Sequence, residues 1–546
     1  MNPIVLRRII VTKFIVTTGG VLSGLGKGVT SASIGNLLKA QGFKVFALKL
    51  DPYLNIDPGV MSPIEHGEVF VTADGGETDL DLGHYERFID VKLSKESNYT
   101  SGRIFTRIFE KERQGLYGGK TVQIVPHVID EIISIIENTA KKQKPDFMLI
   151  EIGGTVGDIE SNPYIYAISK FASLNPKSVF FAHLAFIPYL TASKEYKSKP
   201  SQVSIASLRS FGINPNILLL RSQGEVDERI INKVAEASFL DPNHVIGVPD
   251  KSSIYEIPMF LYEQNILKII YSHFGIKKQI NDKVYDSWKV FLNKYHATKN
   301  YKINLLLVGK YTELEDAYLS IISSLKIAAV HQNVELKYDL IDADLVNNKN
   351  IEKLTKAHDA VMILPGFGAR GFESKVNVAT YTREHKIPTL GICLGFQAMS
   401  VAQARLLGIK DATSKEFAEN GKKQTFVLTP FYENGDKMAI GGTLRLGEDQ
   451  VQAKNNTLAQ KIYGSNIFYE RHRHRYEINP EYLEKLQDDE FTFSAIHPTK
   501  KVAEICEVKN HPFYLGVQYH PEFSTRVLAS NPLFDNFFQA IIKNQK

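Results

Sequence analysis

The sequence predicts an α/β protein made of two sheet domains in tandem, the first on a parallel sheet, and three observations carry that expectation. In the first half, short apolar runs at residues 14–16, 45–50, 147–152, 179–185 and 217–220 alternate with amphipathic stretches such as 128–139. That is the rhythm of strands joined by crossover helices. A second series begins at residues 303–308 and continues through 334–341, 360–364 and 389–393, with a helical pattern over 316–331. At 546 residues the chain also exceeds the roughly 250–300 residues that one core supports.

The stretch between the two series, residues 273–302, is lysine-rich and sparsely apolar, and it holds the only tryptophan, Trp288. It reads as a linker with one helix over 285–295. The expected organisation is a first domain at 1–272, the linker at 273–302 and a second domain at 303–546.

Composition narrows the function class. Hydrophobic content of 43% and charged content of 23% are ordinary for a soluble globular protein. A formal charge of +5 is small for this length. It gives no argument for a nucleic-acid partner, none is expected, and it suits local basic pockets for anionic nucleotides. Two cysteines, Cys393 and Cys506, make no disulfide framework and fit a reducing compartment. Residues 9–21 are interrupted by Lys13 and by glycines, so neither a signal peptide nor a membrane helix is expected, and the cytoplasm is the expected location.

The first chemical signal is GGVLSGLGKG, residues 19–28. An apolar run precedes it and a helical pattern over 30–40 follows. Strand, glycine-rich loop, lysine and helix in that order hold a polyphosphate through backbone N–H groups, a point charge and the helix dipole. The loop departs from the standard phosphate loop in two ways. Five residues separate Gly20 from Gly26, and Gly28 stands where Ser or Thr usually holds magnesium.

The missing ligands are expected at the carboxyl ends of strands, where open α/β sheets bind. Lys49 and Asp51 close the second apolar run, Asp79 and Asp81 lie in ETDLDLGHYERF, and Glu151 ends FMLIE. Magnesium takes one or two carboxylates plus phosphate oxygens, so Asp81 and Glu151 are the candidate ligands. Two further loops suit an anionic ligand. GGTVGDIES carries Asp158 and Glu160, and KEYKSKPSQ carries Lys194, Lys197 and Lys199 near Gln202.

The second signal is PTLGICLGFQAMS: strand, tight turn, cysteine, helix. This is a nucleophile elbow with Cys393 at its tip, and Gly391 and Gly395 permit the close packing it demands. A helix N-terminus aimed at the sulfur favours the thiolate. Cys506, within VAEICEVK, reads as a structural cysteine. A nucleophilic cysteine needs a base and a group to orient it. LGVQYHPEFS offers His520 and Glu522, whose spacing puts both on one side of an extended segment.

The run RHRHRYE, residues 471–477, allows a basic patch, a His-x-His metal pair or a carboxylate grip. As a strand it would put Arg471, Arg473 and Arg475 on one face and His472 and His474 on the other. The carboxylate grip ranks first, because no matching cysteine or histidine cluster supports a metal.

Taken together, GGVLSGLGKG, KLDPYLNIDPG, SPIEHGEVFVTADGGETDLDLGHYERF, IEIGGTVGDIES, GICLG, ERHRHRYE and YHPEF closely resemble the CTP synthase family, end to end and in domain order. The resemblance implies an N-terminal domain of the phosphate-loop, dethiobiotin-synthetase-like fold and a C-terminal class I glutamine amidotransferase domain. It implies a ligase in which ATP phosphorylates UTP at O4 and ammonia from glutamine displaces the phosphate to give CTP. Cys393, His520 and Glu522 match the glutaminase triad.

Gly24, Leu25, Gly26, Lys27, Gly28 and Val29, with Asp81 and Asp250, match ATP contacts. Asp81 and Glu151 match the magnesium ligands, and Lys49 matches a position near the transferred phosphate. Ser23, Asp158, Ile159, Glu160, Lys197, Ser198, Lys199, Pro200, Ser201, Gln202 and Lys233 match UTP and CTP contacts. Gly366, Leu394, Gly395, Phe396, Gln397, Glu416 and Arg475 match the glutamine pocket, and His66 and Val69 match the ammonia passage. The resemblance further implies GTP as activator, CTP as feedback inhibitor and a homotetramer.

Two segments depart from the family pattern. Leu364-Pro365-Gly366-Phe367-Gly368 has one glycine fewer than the usual oxyanion-hole loop. Pro249-Asp250-Lys251 replaces a more basic segment on the adenine side. Two other readings fit part of the pattern. One is a different amidotransferase pairing a phosphate-loop domain with a class I glutaminase, which gives no reason for the GGTVGDIES and KSKPSQ loops. The other is a nucleotide-sensing scaffold with a disabled glutaminase.

Overall fold

A computed structural model describes residues 12–430 and 444–545. The start of the 9–21 stretch lies outside the described residues. The chain divides into two compact units, one of Met1–Pro58 with Asp81–Leu292 and the other of Gly59–Leu80 with Asn293–Lys546.

The first unit is built on a seven-stranded sheet. In chain order its strands are β1 (Lys13–Gly19), β2 (Val45–Asp51), β3 (Asn98–Thr100), β4 (Phe147–Ile152), β5 (Val179–Phe186), β6 (Ile217–Ser222) and β7 (Val245–Pro249). They lie in the spatial order β7-β6-β5-β1-β4-β2-β3, every pair parallel. The central strands are buried along their whole length, as a sheet covered on both faces requires. Helix α1 (Lys27–Ala40) follows β1, and α2 (Asp81–Ile89) lies against it. Trp288, on α3 (Asp286–His296), is buried and donates from its indole to the Tyr255 carbonyl at 2.9 Å, so this helix of the lysine-rich stretch is part of the first unit's packing.

The second unit has a nine-stranded mixed sheet. Its parallel half contains β8 (Tyr301–Gly309), β9 (Val334–Asp342), β10 (Ala360–Ile363) and β11 (Thr389–Ile392). Its antiparallel half contains β12 (Arg445–Ala453), β13 (Ile467–His474), β14 (Phe491–Ile496), β15 (Ala503–Val508) and β16 (Tyr514–Val517). The order is β9-β8-β10-β11-β16-β15-β14-β12-β13, and β16 pairs parallel with β11 and antiparallel with β15. The sheet is covered by α4 (Leu319–His331), α5 (Phe372–Glu384) and α6 (Leu394–Leu406), among other helices. The α/β class expected from the alternation therefore holds in both units. No described helix is long and apolar enough to cross a membrane.

Candidate functional sites

In the first unit the glycine-rich loop runs from the end of β1 into α1. Gly24 and Gly26 take φ of 74° and 84°, in the left-handed region, and a Cβ on either would meet nothing within 4 Å. Conformation, not crowding, requires glycine there. Crowding decides Gly28. A Cβ at Gly28 would lie 2.0 Å from Asp81 Oδ1. The carboxylate of Asp81 therefore occupies the place beside the loop that a Ser or Thr side chain holds in a standard phosphate loop.

Lys49 gathers the carboxylates. Its ammonium hydrogen-bonds Asp81, donates to Glu151 Oε1 at 2.8 Å and stands 3.8 Å from Asp51. Tyr85 donates its hydroxyl to the other Glu151 oxygen. Asn98 donates to Asp51 at 2.7 Å. Burial pushes the Asp51 carboxyl up to about 6, against the pull of Lys49. Burial also raises Glu151, with Asp81 adding to the shift. For Asp81 burial is the largest effect and raises it, but Lys49 and His84 outweigh it and leave that carboxyl below its ordinary value. Lys27 donates to the Gly154 carbonyl at 2.6 Å, and its own burial lowers its pKa. Two ammonium groups and three carboxylates thus meet at the carboxyl ends of β1, β2 and β4. Two carboxylates one beside the other at a phosphate loop fit the oxygen ligands that magnesium prefers.

The remaining expected nucleotide residues lie in loops and on helices, Lys199 to Gln202 on the first turn of one and Lys233 within the helix Glu228–Ala237. Ser23 is exposed on the glycine-rich loop, and Leu25 is buried. Asp158 accepts from the Thr155 hydroxyl and amide, while Ile159 and Glu160 are exposed beside it. Lys197 pairs with Glu195, and Lys233 stands close enough to favour the charged Glu195. Ser198, Lys199 and Pro200 start the helix Lys199–Ser210, Ser201 donates to the Phe186 carbonyl at 2.8 Å, and Gln202 donates to Ser198. Asp250, just past β7, accepts from Arg221 at 2.8 Å. Sequence reasoning missed His183. It is fully buried between Thr18 (2.8 Å) and Ser204 (2.7 Å), and burial followed by nearby Lys27 lowers it to about 3. A histidine inside an apolar strand gives no sequence signal beyond its type.

In the second unit Cys393 links β11 to α6 with φ 53° and ψ −102°, a strained conformation for a side-chain-bearing residue. The flanking glycines make the turn possible. A Cβ at Gly395 would lie 2.2 Å from the Ile363 carbonyl oxygen, and one at Gly391 would strike Met399 Sδ at 2.4 Å. The Cys393 amide is tied to the Val517 carbonyl of β16 at 2.7 Å. That strand leads directly to His520.

His520 Nδ1 and Glu522 Oε1 are 2.7 Å apart, and both side chains are buried. The expected extended geometry is replaced here. Pro521–Ser524 forms a 3-10 turn, because proline at its start fixes φ. The turn folds Glu522 back onto the imidazole all the same. For His520 burial is the largest effect and lowers the pKa, but Glu522 and Cys393 outweigh it and raise the imidazole to about 10. Cys506 is buried on β15, and burial pushes its thiol up to about 12.

Period two holds in β13. Arg471 donates to the Val71 carbonyl at 3.0 Å, and Arg473 donates to Glu77 and to the Gly59 carbonyl, both at 2.9 Å. His472 and His474 face the other way and lie 2.9 Å apart, Nδ1 to Nε2. Arg475 lies beyond the strand, its guanidinium 5.8 Å from the Phe367 ring centre. Glu416 accepts from the Gly368 amide at 2.9 Å. Burial raises its carboxyl, and Lys310 and Arg475 act the other way. Leu394, Phe396 and Gln397 are buried on the first turn of α6, and Gln397 donates to the Tyr476 carbonyl at 3.0 Å.

A cavity of about 70 Å³ opens at Cys393, with His520, Gly366 and Val69 in its wall. Val69 belongs to the stretch Gly59–Leu80, and Glu68 anchors that stretch by accepting from the Ser320 amide at 2.7 Å and from its hydroxyl. His66 ends the short helix Pro63–His66, is exposed and is not in that wall.

Residues 13–276 match the model of the CTP synthase N-terminus, and residues 313–540 match that of class I glutamine amidotransferase. A curated CTP synthase of Mycoplasmopsis pulmonis is 57% identical over 533 residues, covering 98% of each chain. The chain belongs to the CTP synthase family. A second CTP synthase, from Mesoplasma florum, is 46% identical over 98% of this chain and all of its own. Among solved structures, the glutaminase domain of Trypanosoma brucei CTPS with bound acivicin is 30% identical, covering 44% of this chain and 94% of that one at a TM-score of 0.41. Both the phosphate-loop centre and the cysteine elbow thus fall inside segments matched to the CTP synthase family.

Proposed function

We propose that the chain is an ATP-dependent ligase that aminates UTP at C4 to give CTP, taking its nitrogen from glutamine. The observation that carries this is the pairing, in one chain, of a carboxylate-notched phosphate loop with a cysteine elbow backed by a His–Glu pair.

In the glutaminase half, Cys393 attacks the glutamine amide carbon. His520 holds the proton and passes it to the departing ammonia. A glutamyl thioester remains on Cys393, and water attacks it with His520 as base. Glu522 keeps the imidazole oriented and favours its charged form. The amides of Gly366 and Leu394 receive the oxyanion. Arg475 and Glu416 are opposite charges suited to the carboxylate and ammonium of the amino acid.

In the synthase half, the amides of the glycine-rich loop and Lys27 cradle the ATP phosphates. Asp81 and Glu151 would hold magnesium, which would neutralise phosphate charge. Lys49 steadies the phosphoryl group passing to the UTP O4. Ammonia then adds at C4 and phosphate leaves. Asp158 to Glu160, Lys197 to Gln202 and Lys233 bind UTP, and CTP competes in an overlapping place. Ammonia is largely ammonium in water and then not nucleophilic, so a sheltered passage through Val69 and His66 suits the chemistry. GTP activation, a homotetramer and a cytoplasmic location belong to the same proposal.

One assay tests it: UTP, ATP and magnesium with either glutamine or ammonium chloride, read by the absorbance change from uracil to cytosine. CTP is expected from both donors. In Cys393→Ala, CTP is expected from ammonium only. No CTP from either donor with the unaltered chain would reject the proposal, and glutamine use by the variant would remove Cys393 as nucleophile.

A further inference from the structure

The loop 364–368 stands opposite Cys393, and a complete account of its backbone amides leaves a single free donor. The Leu364 amide donates to the Val308 carbonyl at 3.0 Å. Pro365 has none. The Phe367 amide donates to the Tyr311 hydroxyl at 3.3 Å, and that of Gly368 donates to Glu416. Gly366 alone offers an N–H without a partner among the described residues, and it lines the Cys393 cavity.

The carbonyls of the same loop are held from behind by two buried lysines. Lys375 on α5 is fully buried, and its amine donates to the Leu364 carbonyl. Lys310, 2% exposed at the end of β8, donates to the Phe367 carbonyl at 2.6 Å and to that of Gly368. Its stem also packs on Gly366, where an added Cβ would lie 2.7 Å from Lys310 Cδ. Lys310 is itself fixed. Its amide donates to the Tyr318 hydroxyl at 2.8 Å, and Arg370 donates to its carbonyl. A buried lysine is costly to keep, and surface helices seldom spend one on packing alone. Here the cost coincides with a loop in which Pro365 has no N–H and Gly366 offers the one unpartnered amide beside Cys393.

We propose that Lys375 and Lys310 are positioning residues that clamp the carbonyls of Leu364, Phe367 and Gly368, and so aim the lone Gly366 amide at the oxyanion formed on the glutamine carbonyl. This rests on the glutaminase reading above. Neither lysine touches substrate; both act through the loop.

The test uses the full chain with Lys375→Met, which keeps the stem and removes the donor. The second variant, Lys310→Gln, is measured beside it in case the first does not fold. Glutaminase kcat and KM are determined together with the rate of iodoacetamide alkylation of Cys393, a reaction that builds no oxyanion. Expected is a fall in kcat of about 10- to 100-fold, with KM and the alkylation rate changed less than about twofold. An unchanged kcat overturns the proposal. So does a parallel loss of alkylation, which would mean that the lysines only support the elbow. If the unaltered chain hydrolyses no glutamine, the glutaminase reading fails instead.

Discussion

Arg473 and Glu77 are separated by 396 positions in sequence and joined by a 2.9 Å hydrogen bond, with both side chains largely buried. The Arg473 carbonyl lies 3.9 Å from the sulfur of Cys393. One residue therefore contacts the Cys393 thiol through its backbone and fastens the stretch Gly59–Leu80 through its side chain. Removing one partner of such a pair leaves a buried charge poorly satisfied. Glu77→Gln is expected to loosen that stretch at a cost of about 1 kcal/mol, or about fivefold in coupling. Measured as glutamate released per CTP formed, the ratio rises in the variant, while glutamine hydrolysis itself continues. A ratio equal to that of the unaltered chain would show that the pair has no part in coupling.

Gly28→Ser restores the hydroxyl of a standard phosphate loop, yet it is expected to inactivate. The added Cβ would fall 2.0 Å from Asp81 Oδ1, and relieving such a clash costs about 1–3 kcal/mol and moves the carboxylate. Ammonium-dependent CTP formation should fall by about 100-fold or more if Asp81 holds the metal. Glutaminase activity and Tm are the controls. Retained synthesis would separate Asp81 from the reaction.

The two cysteines should differ sharply toward iodoacetamide. Cys506 is buried with its thiol pushed up to about 12, whereas Cys393 opens onto a cavity. Mass spectrometry of the native chain is expected to find one label, on Cys393. Cys393→Ala should remain unlabelled until it is unfolded.

The His520–Glu522 pair gives stability a defined pH dependence. The imidazole is raised from 6.5 to about 10, so the charged form is favoured by folding. Its contribution is complete below about 6.5 and is lost as pH rises through about 10. Glu522→Gln removes the attraction. The stability difference between the unaltered chain and this variant, measured by urea unfolding, should be largest near pH 6 and shrink toward pH 10. A difference that grows with pH would contradict the assignment.

Much of both centres was legible in the sequence, for physical reasons. The elbow announces itself because Gly391 and Gly395 leave no room for a side chain and stand at fixed offsets from Cys393. The strands were legible because a fully covered parallel sheet writes unbroken apolar runs. The short strand Asn98–Thr100 was not, since three polar-to-aromatic residues carry no period. Lys375 was invisible for a different reason. A lysine in a helix ordinarily faces solvent, and only the tertiary packing of α5 on the loop 364–368 turns it inward. The notch at Gly28 and the attachment of Val69 to the Cys393 cavity both depend on contacts between distant stretches, and local pattern does not record such contacts.

The stretch Gly59–Leu80 is flanked on both sides by residues of the other compact unit, and its last residue directly precedes Asp81. It follows that a cut at the linker parts this stretch from the rest of its own compact unit. A free fragment beginning near residue 293 would carry Cys393, His520 and Glu522 but would lack Glu68 and Val69 from the cavity wall. The amidotransferase of this chain is thus a discontinuous module. Swapping it with that of another family member would require exchanging two pieces of gene together, the short one from near the start as well as the long one at the end.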